Sequence, residues 1–75
     1  MTDKEKEIWR KEERISQHLF NISNWTKILE RKLSEYAINP NKKDLDACKI
    51  AISEIKCSKN EICALHRGIM NMLTE

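Results

Sequence analysis

Cysteine and histidine are the residues of this sequence whose types and spacing could support chemistry. Cys63 and His66 are separated by two residues, so on a helix their side chains lie one turn apart. A helical hairpin would bring His18 near them, but three ligands are fewer than the four that a structural zinc site takes. A catalytic thiolate also needs an orienting group and a concave site, and the chain has no glycine-rich loop. We therefore predict no metal, no cofactor, no catalytic residue and no enzymatic activity.

Length and composition favour one small domain made of helices. The 75 residues include one glycine and one proline, 35% of them are charged, and 5% are aromatic. This composition is typical of long helices and leaves few residues for turns or strands. We predict an all-α fold with a single helical domain over residues 1–75. A domain of this size buries little surface, so it usually needs a staple, a metal or a second copy.

Charge and targeting signals favour a cytoplasmic protein without a membrane partner. Fourteen basic and twelve acidic residues are interleaved, which gives a net charge of +2 and no strong field. The N-terminus lacks an apolar signal core, and no stretch approaches the roughly 18 apolar residues of a membrane span. The three cysteines, an odd number, are typical of reduced thiols. The preference for Lys, Ile and Asn is typical of an A+T-rich genome, such as that of a phage or another mobile element.

A seven-residue repeat of apolar residues predicts the first helix over residues 3–37. Thr2 or Asp3 can cap its start. Asn39 precedes Pro40, and a residue before proline is pushed out of the helical region, so the helix ends near there. Its predicted core residues are Ile8, Ile15, Leu19, Ile22, Leu29, Leu33 and Tyr36, with Glu12 and Thr26 as polar exceptions.

A second repeat predicts a helix over residues 43–74, capped by Asn41 or Asp44. Its predicted core residues are Leu45, Cys48, Ile52, Ile55, Ile62, Ile69 and Leu73, interrupted by Lys59 and His66. The short turn predicts an antiparallel hairpin, with Leu33 near Cys48. An alternative has three helices, because Ser58 and Glu61 form a capping box that would begin a new helix after a break near Ser58.

The second half of the second helix carries more apolar residues than one partner helix can cover. They spread over about half of its circumference, and the hairpin brings Ile8 and Trp9 to the same end. Surface of this kind is normally buried by another chain, so we predict a homodimer in which two hairpins form a four-helix bundle. The predicted dimer or partner-binding residues are Ile8, Trp9, Trp25, Ile62, Leu65, Ile69, Met70, Met72 and Leu73.

A row of lysines indicates a second kind of partner. Lys42, Lys49 and Lys56 are seven residues apart on the outer face of the second helix, and Lys59 is nearby. In a dimer, two such rows could follow a phosphate backbone. The predicted architecture resembles in shape the small plasmid RNA-binding hairpins of the Rop type, which dimerise into bundles. That resemblance implies RNA or DNA as a candidate partner.

The leading functional prediction is a small protein–protein interaction module without enzymatic activity. It would act as a regulator or inhibitor of a host or cellular protein through its apolar helical face. Its partners would be a second copy of itself and an unidentified protein. The alternatives are a dimeric RNA- or DNA-binding bundle that uses the lysine row, and a structural subunit of a larger assembly.

Overall fold

The protein is a hairpin of two long helices. The computed structural model describes residues 1–74, in which α1 spans Asp3–Ile38 and α2 spans Lys42–Leu73. The helices pack against each other, and the described chain contains no strand. The all-α prediction is confirmed, with each helix boundary within one residue of the predicted one. The molecule measures 55 × 17 × 13 Å, and its length is that of α1 alone at about 1.5 Å per residue.

Both helices begin at a polar cap. Thr2 Oγ1 accepts a hydrogen bond of 3.1 Å from the backbone N–H of Glu5. Asn41 Oδ1 accepts one of 2.8 Å from the backbone N–H of Asp44. Each cap satisfies a donor that the first helical turn leaves without an intrahelical partner, and the acidic side chains nearby favour the positive end of the helix dipole. Of the caps proposed from the sequence, Thr2 and Asn41 are the ones used.

The alternative with a break near Ser58 is wrong. The helix α2 continues through Ser58 without interruption, and this side chain is only 7% exposed. A break there would leave backbone donors and acceptors unpaired on the side of α2 that packs against α1, which is costly. Ser58 therefore serves as a small packing residue and not as the cap of a third helix.

Only some of the predicted core residues lie in the contact between the helices. One seven-residue series on each helix packs as expected, from Ile8 to Tyr36 on α1 and from Cys48 to Ile69 on α2. The other series is displaced by one residue on both helices. On α1 it consists of Lys11, His18, Trp25 and Lys32, and on α2 of Asp44, Ala51, Ser58, Leu65 and Met72. The predicted core residues Leu19, Leu33, Leu45, Ile52 and Leu73 are instead 54%, 50%, 37%, 42% and 60% exposed.

Residue size explains this displacement. Ala51 is fully covered and Ser58 nearly so. Since only residues 39–41 connect the helices, counting back from the loop places Trp25 level with the turn between these two small residues. Small side chains at these two positions of α2 let the helices approach closely at this level.

The series that the sequence pattern predicted on α2, in place of the displaced one, is more apolar but fits the contact less well. It would have placed Lys59 and His66 in the middle of the contact between the helices. In the displaced series that the structure shows, the charged side chains have favourable surroundings. Lys32 reaches Asp44 across the hairpin with an Nζ–Oδ1 distance of 3.5 Å, and the stem of Lys11 lies along α2 beside Gly68.

Gly68 offers a simple test of this packing. A Cβ atom built there would lie 3.6 Å from Lys11 Cε, which is ordinary van der Waals contact. Because glycine is a poor helix former, Gly68→Ala is expected to stabilise the protein by about 1 kcal/mol and to raise Tm by roughly 4–8 °C. Circular dichroism melts at one fixed protein concentration measure the change. A lower Tm would mean that the Lys11 stem cannot accommodate the added methyl group.

The single hairpin has a very small core. Its buried residues are Cys48, Ala51, Ser58 and Leu65, all on α2, and no large side chain in the described chain is fully buried. The three cysteines are free thiols, so no disulfide supports the fold. Across residues 1–74, neither helix combines the length and apolar character needed to cross a bilayer. A chain of this size with so little burial needs stabilisation from elsewhere.

Candidate protein-binding face

Large apolar side chains remain exposed along one side of the hairpin. We call the line of contact between the two helices the seam. Lys32 and Asp44 belong to the displaced series of the two helices, and they contact each other. Both displaced series therefore lie on one side of the seam. The series one residue later on each helix must therefore share the opposite side. We call this side the uncovered face, and its apolar members are Trp9, Leu19, Leu33, Leu45, Ile52, Met70 and Leu73.

The uncovered face changes character along its length. Near the loop, Leu33 and Leu45 lie at nearly the same level, and Ile52 follows one to two turns further from the loop. Towards the chain termini Leu19 lies level with Lys59, and the face is then polar at His66 and Glu12. At the terminal end it is apolar again, where Trp9 and Met70 are 56% and 46% exposed and Leu73 lies beside them. A partner must therefore match two apolar ends and a charged middle.

The total surface is large for the mass of the chain. Its accessible surface is 5830 Å² for 8.9 kDa. A compact monomer of this mass exposes about 4,800 Å² by the usual scaling of area with mass. The hairpin therefore exposes about 1,000 Å² more than a compact protein would. Most of the exposed large apolar residues lie on the uncovered face.

The structure distributes the predicted partner-binding residues over two regions. Trp9, Met70 and Leu73 are exposed and lie on the uncovered face. The half-buried residues in the seam are Ile8, Trp25, Ile62, Ile69 and Met72. Leu65 requires a correction, because it is only 6% exposed and packs inside the hairpin as a member of the displaced series. It is not part of the surface available to a partner.

Five residues of the uncovered face were assigned to the core by the sequence pattern, namely Leu19, Leu33, Leu45, Ile52 and Leu73, of which Leu73 was also predicted to bind a partner. One signal in the sequence could have separated them from the core. The observed α2 series contains the small residues Ala51 and Ser58, which let two helices approach closely. Charged residues do not separate the series, because the observed ones also contain Lys11, Lys32 and Asp44.

Comparisons with known protein families, with curated proteins and with solved structures gave no match to this chain. The function of this protein is therefore inferred from its geometry.

The cysteine and histidine residues considered for chemistry do not come together. Cys63 and His66 are exposed, on the side of α2 that borders the uncovered face. His18 lies on the other side of the seam, where its Nδ1 atom is buried and has no hydrogen-bond partner among the described residues. Within residues 1–74, no three His, Cys, Asp or Glu side chains are close enough to hold a metal ion.

A shallow hollow of about 530 Å³ lies along the first turns of α1. Its lining consists only of charged residues: Asp3, Lys6, Glu7, Arg10, Lys11 and Arg14. All of them belong to one helix, so the hollow is a groove between neighbouring side chains. The 3.9 Å contact between Lys11 Nζ and Glu7 Oε1 shows that its charges partly pair with each other.

A polar cluster closes the loop end of the hairpin, on the side away from the uncovered face. Asn41 Nδ2 donates to Asp44 Oδ2 at 2.8 Å, and Lys32 Nζ lies 3.0 Å from Glu35 Oε2. The Asn41 amide, and then Lys32, lower the pKa of the Asp44 carboxyl, partly against the desolvation of that group. The hydrogen bond to Glu35 is the main cause that raises the pKa of Lys32.

Removing the cap should affect both stability and this pKa. Asn41→Ala is expected to destabilise the protein by about 1 kcal/mol and to raise the pKa of Asp44 towards its ordinary value. A lowered folded-state pKa stabilises above the unfolded value of about 3.9, and that stabilisation is lost as pH falls through the folded value. The variant should therefore lose less stability than the wild type between neutral pH and acid.

Carboxyl NMR titration and melts across that pH range measure both effects of Asn41→Ala. Asn60→Ala is the control, because Asn60 is an exposed residue within α2. If the pKa of Asp44 is the same in Asn41→Ala and the wild type, the Asn41 amide is not the main cause of the shift.

The four lysines of the predicted nucleic-acid row are all exposed. Lys42, Lys49 and Lys56 follow the edge of the uncovered face on α2, and Lys59 lies within it. None of the four is in an ion pair with another described residue, since the cross-helix pair uses Lys32. The row is thus accessible, and its role stays a prediction.

Proposed function

We propose that this protein is a small, cytoplasmic protein–protein interaction module without enzymatic activity, and that it binds through the uncovered face. The observation that supports this proposal is the distribution of apolar residues. The hairpin packs through small or half-buried residues, whereas its uncovered face carries seven large apolar side chains that are 37–60% exposed. Exposed apolar patches bordered by charged residues are typical of an interaction site.

The same proposal includes self-association into a four-helix bundle. Two hairpins that join through the uncovered face would bury Leu33, Leu45 and Ile52 and so build the core that one hairpin lacks. Helical hairpins of this length form such bundles by packing coiled-coil positions of four helices around one core. Closed twofold dimers are also the commonest symmetric assemblies of soluble proteins.

Within this proposal, the bundle regulates or inhibits another cellular protein. Trp9 and Met70 are suited to the contact because an aromatic anchor and an adaptable thioether side chain often dominate interfaces. They lie at the terminal end, where the bundle surface continues beyond the hairpin core. The rigid rod would then present this end to its target.

Native mass measurement and affinity capture test the proposal together. We expect two copies per particle at micromolar concentration, and capture of a specific protein from the source cells by the wild type. The variant Trp9→Ala should lose the captured protein, and capture is compared at a protein concentration at which native mass still gives two copies for the variant. A monomeric wild type that also captures no protein would contradict the proposal.

A second candidate function is RNA or DNA binding, favoured by the four exposed and unpaired lysines. Affinity based on phosphate contacts falls steeply with salt concentration, by an amount that increases with the number of contacts. Retention of random RNA and DNA pools between low and physiological salt therefore tests this function. If neither pool is retained at low salt, the lysines are a solvated edge.

A further inference from the structure

We propose that the uncovered face is covered by a second copy of this chain, with the twofold axis parallel to the hairpin, so that both loops lie at the same end of the dimer. This inference depends on the proposed function, because it assumes that the uncovered face is an interface. It adds the identity and the direction of the occupant. Both follow from the area of the surface and from the order of residues along it.

The area of the surface fits a second copy. The chain exposes about 1,000 Å² beyond the expectation for a compact monomer of its mass. A stable interface of standard size buries about 800 Å² on each partner. The extra exposed area of one hairpin is therefore about the area that one such interface buries on each partner. A second hairpin of the same 55 Å length covers the face from end to end.

The order of residues along the face fixes the direction. A rotation about the long axis places α1 of one copy against α2 of the other at the same level. Leu33 then faces Leu45 of the second copy, and the reciprocal contact makes a layer of four leucines near the loops. At the other end, Trp9 faces Met70 of the second copy, a pairing of ring and sulfur that is favourable.

The polar levels also match in this arrangement. Glu12 faces His66 of the second copy, and Lys59 of the second copy lies about two turns from His66 towards the loop. The negative group of each α1 thus meets the basic groups of the facing α2, which is the complementarity expected of a specific interface. Leu19 is the exception, because it lies level with Lys59 of the second copy, where the lysine stem can pack along the leucine and keep its ammonium group in solvent.

The opposite arrangement fits poorly. A rotation about an axis perpendicular to the hairpin places α1 against α1 and α2 against α2, with the loops at opposite ends. Lys59 of the two copies would then meet near the axis, and Ile52 would face His66. Like charges placed opposite each other, and apolar groups placed opposite polar ones, both oppose association. The charged residues of the face therefore favour the parallel arrangement, which pairs Glu12 with His66 and keeps the two Lys59 side chains apart.

Distances between spin labels separate the two arrangements. The background is Cys57→Ser with Cys63→Ser, which removes both exposed thiols and keeps Cys48, whose 4% exposure protects it from labelling. A label attached after Ile38→Cys reports on the loop end, where Ile38 is 87% exposed. A label attached after Ser23→Cys, near the middle of α1, is the matched control.

In the proposed dimer the two loop labels are separated only by the width of the bundle, under about 30 Å for helices spaced about 10 Å apart. In the opposite arrangement they are separated by nearly the full hairpin, about 50 Å of its 55 Å. The labels near the middle should give a short distance in both arrangements. Labelled samples must keep the thermal stability and the mass of the unlabelled protein.

Each outcome has a distinct meaning. A short loop distance in a particle of two copies supports the inference. A long loop distance in such a particle overturns the inference and leaves the proposed dimer intact. A particle of one copy, with no dipolar signal from any label, overturns both the inference and the self-association in the proposed function, and assigns the face to a different protein.

Discussion

Ile52→Asp is expected to dissociate the proposed dimer into single hairpins. The side chain lies on the uncovered face between the leucines near the loop and the charged middle, and it is 42% exposed in the single hairpin. In the dimer the substitution removes a buried apolar side chain and places a carboxylate there, twice because of the symmetry. A loss of about 2 kcal/mol per copy, which is typical of a central interface residue, raises Kd by roughly 1,000-fold.

The chain offers a matched control in Ile50→Asp. Ile50 has the same side chain on the same helix and is 55% exposed, but it points away from the uncovered face. Its substitution should leave the mass of the particle unchanged. Light scattering over a range of protein concentrations distinguishes the two variants. If both variants dissociate equally, the effect comes from helix stability or net charge and the uncovered face is not the interface.

Part of the fold could be predicted from the sequence alone. The seven-residue repeats, the proline and the polar caps predicted both helices and their ends, because each of those signals is local. They also predicted one contact series on each helix, from Ile8 and from Cys48. The isoleucine and leucine side chains of the other series were assigned to the seam, because the most apolar line is usually the buried one.

The second series could not be predicted from apolar character, because packing also depends on volume. Ala51 and Ser58 are poor candidates for a core by hydrophobicity, yet they are buried, because small side chains let the two helices approach closely. This requirement involves residues that are distant in sequence and becomes visible only when both helices are placed. The candidate site was missed for the same reason, since Leu33 and Ile52 are free to bind a partner only when they are outside the seam.

Ala51→Leu is therefore expected to disrupt the hairpin itself. Ala51 is 0% exposed, so a leucine there has no space unless the helices separate. Overpacking of this kind costs about 3 kcal/mol at a tightly closed site, which corresponds to a fall in Tm of roughly 12–24 °C for a domain of this size. Circular dichroism melts at fixed concentration measure the loss.

Ala64→Leu is the control, because Ala64 lies on an exposed face of α2, where the same added volume meets solvent and Tm should change by less than about 2 °C. An Ala51→Leu variant that melts like the wild type would show that the helices can rotate and bury the predicted series instead. In that case Leu45 and Ile52 would move into the seam, and the variant would lose the dimer although its hairpin stays folded. Mass measurements on the same sample therefore separate a damaged seam from a rotated one.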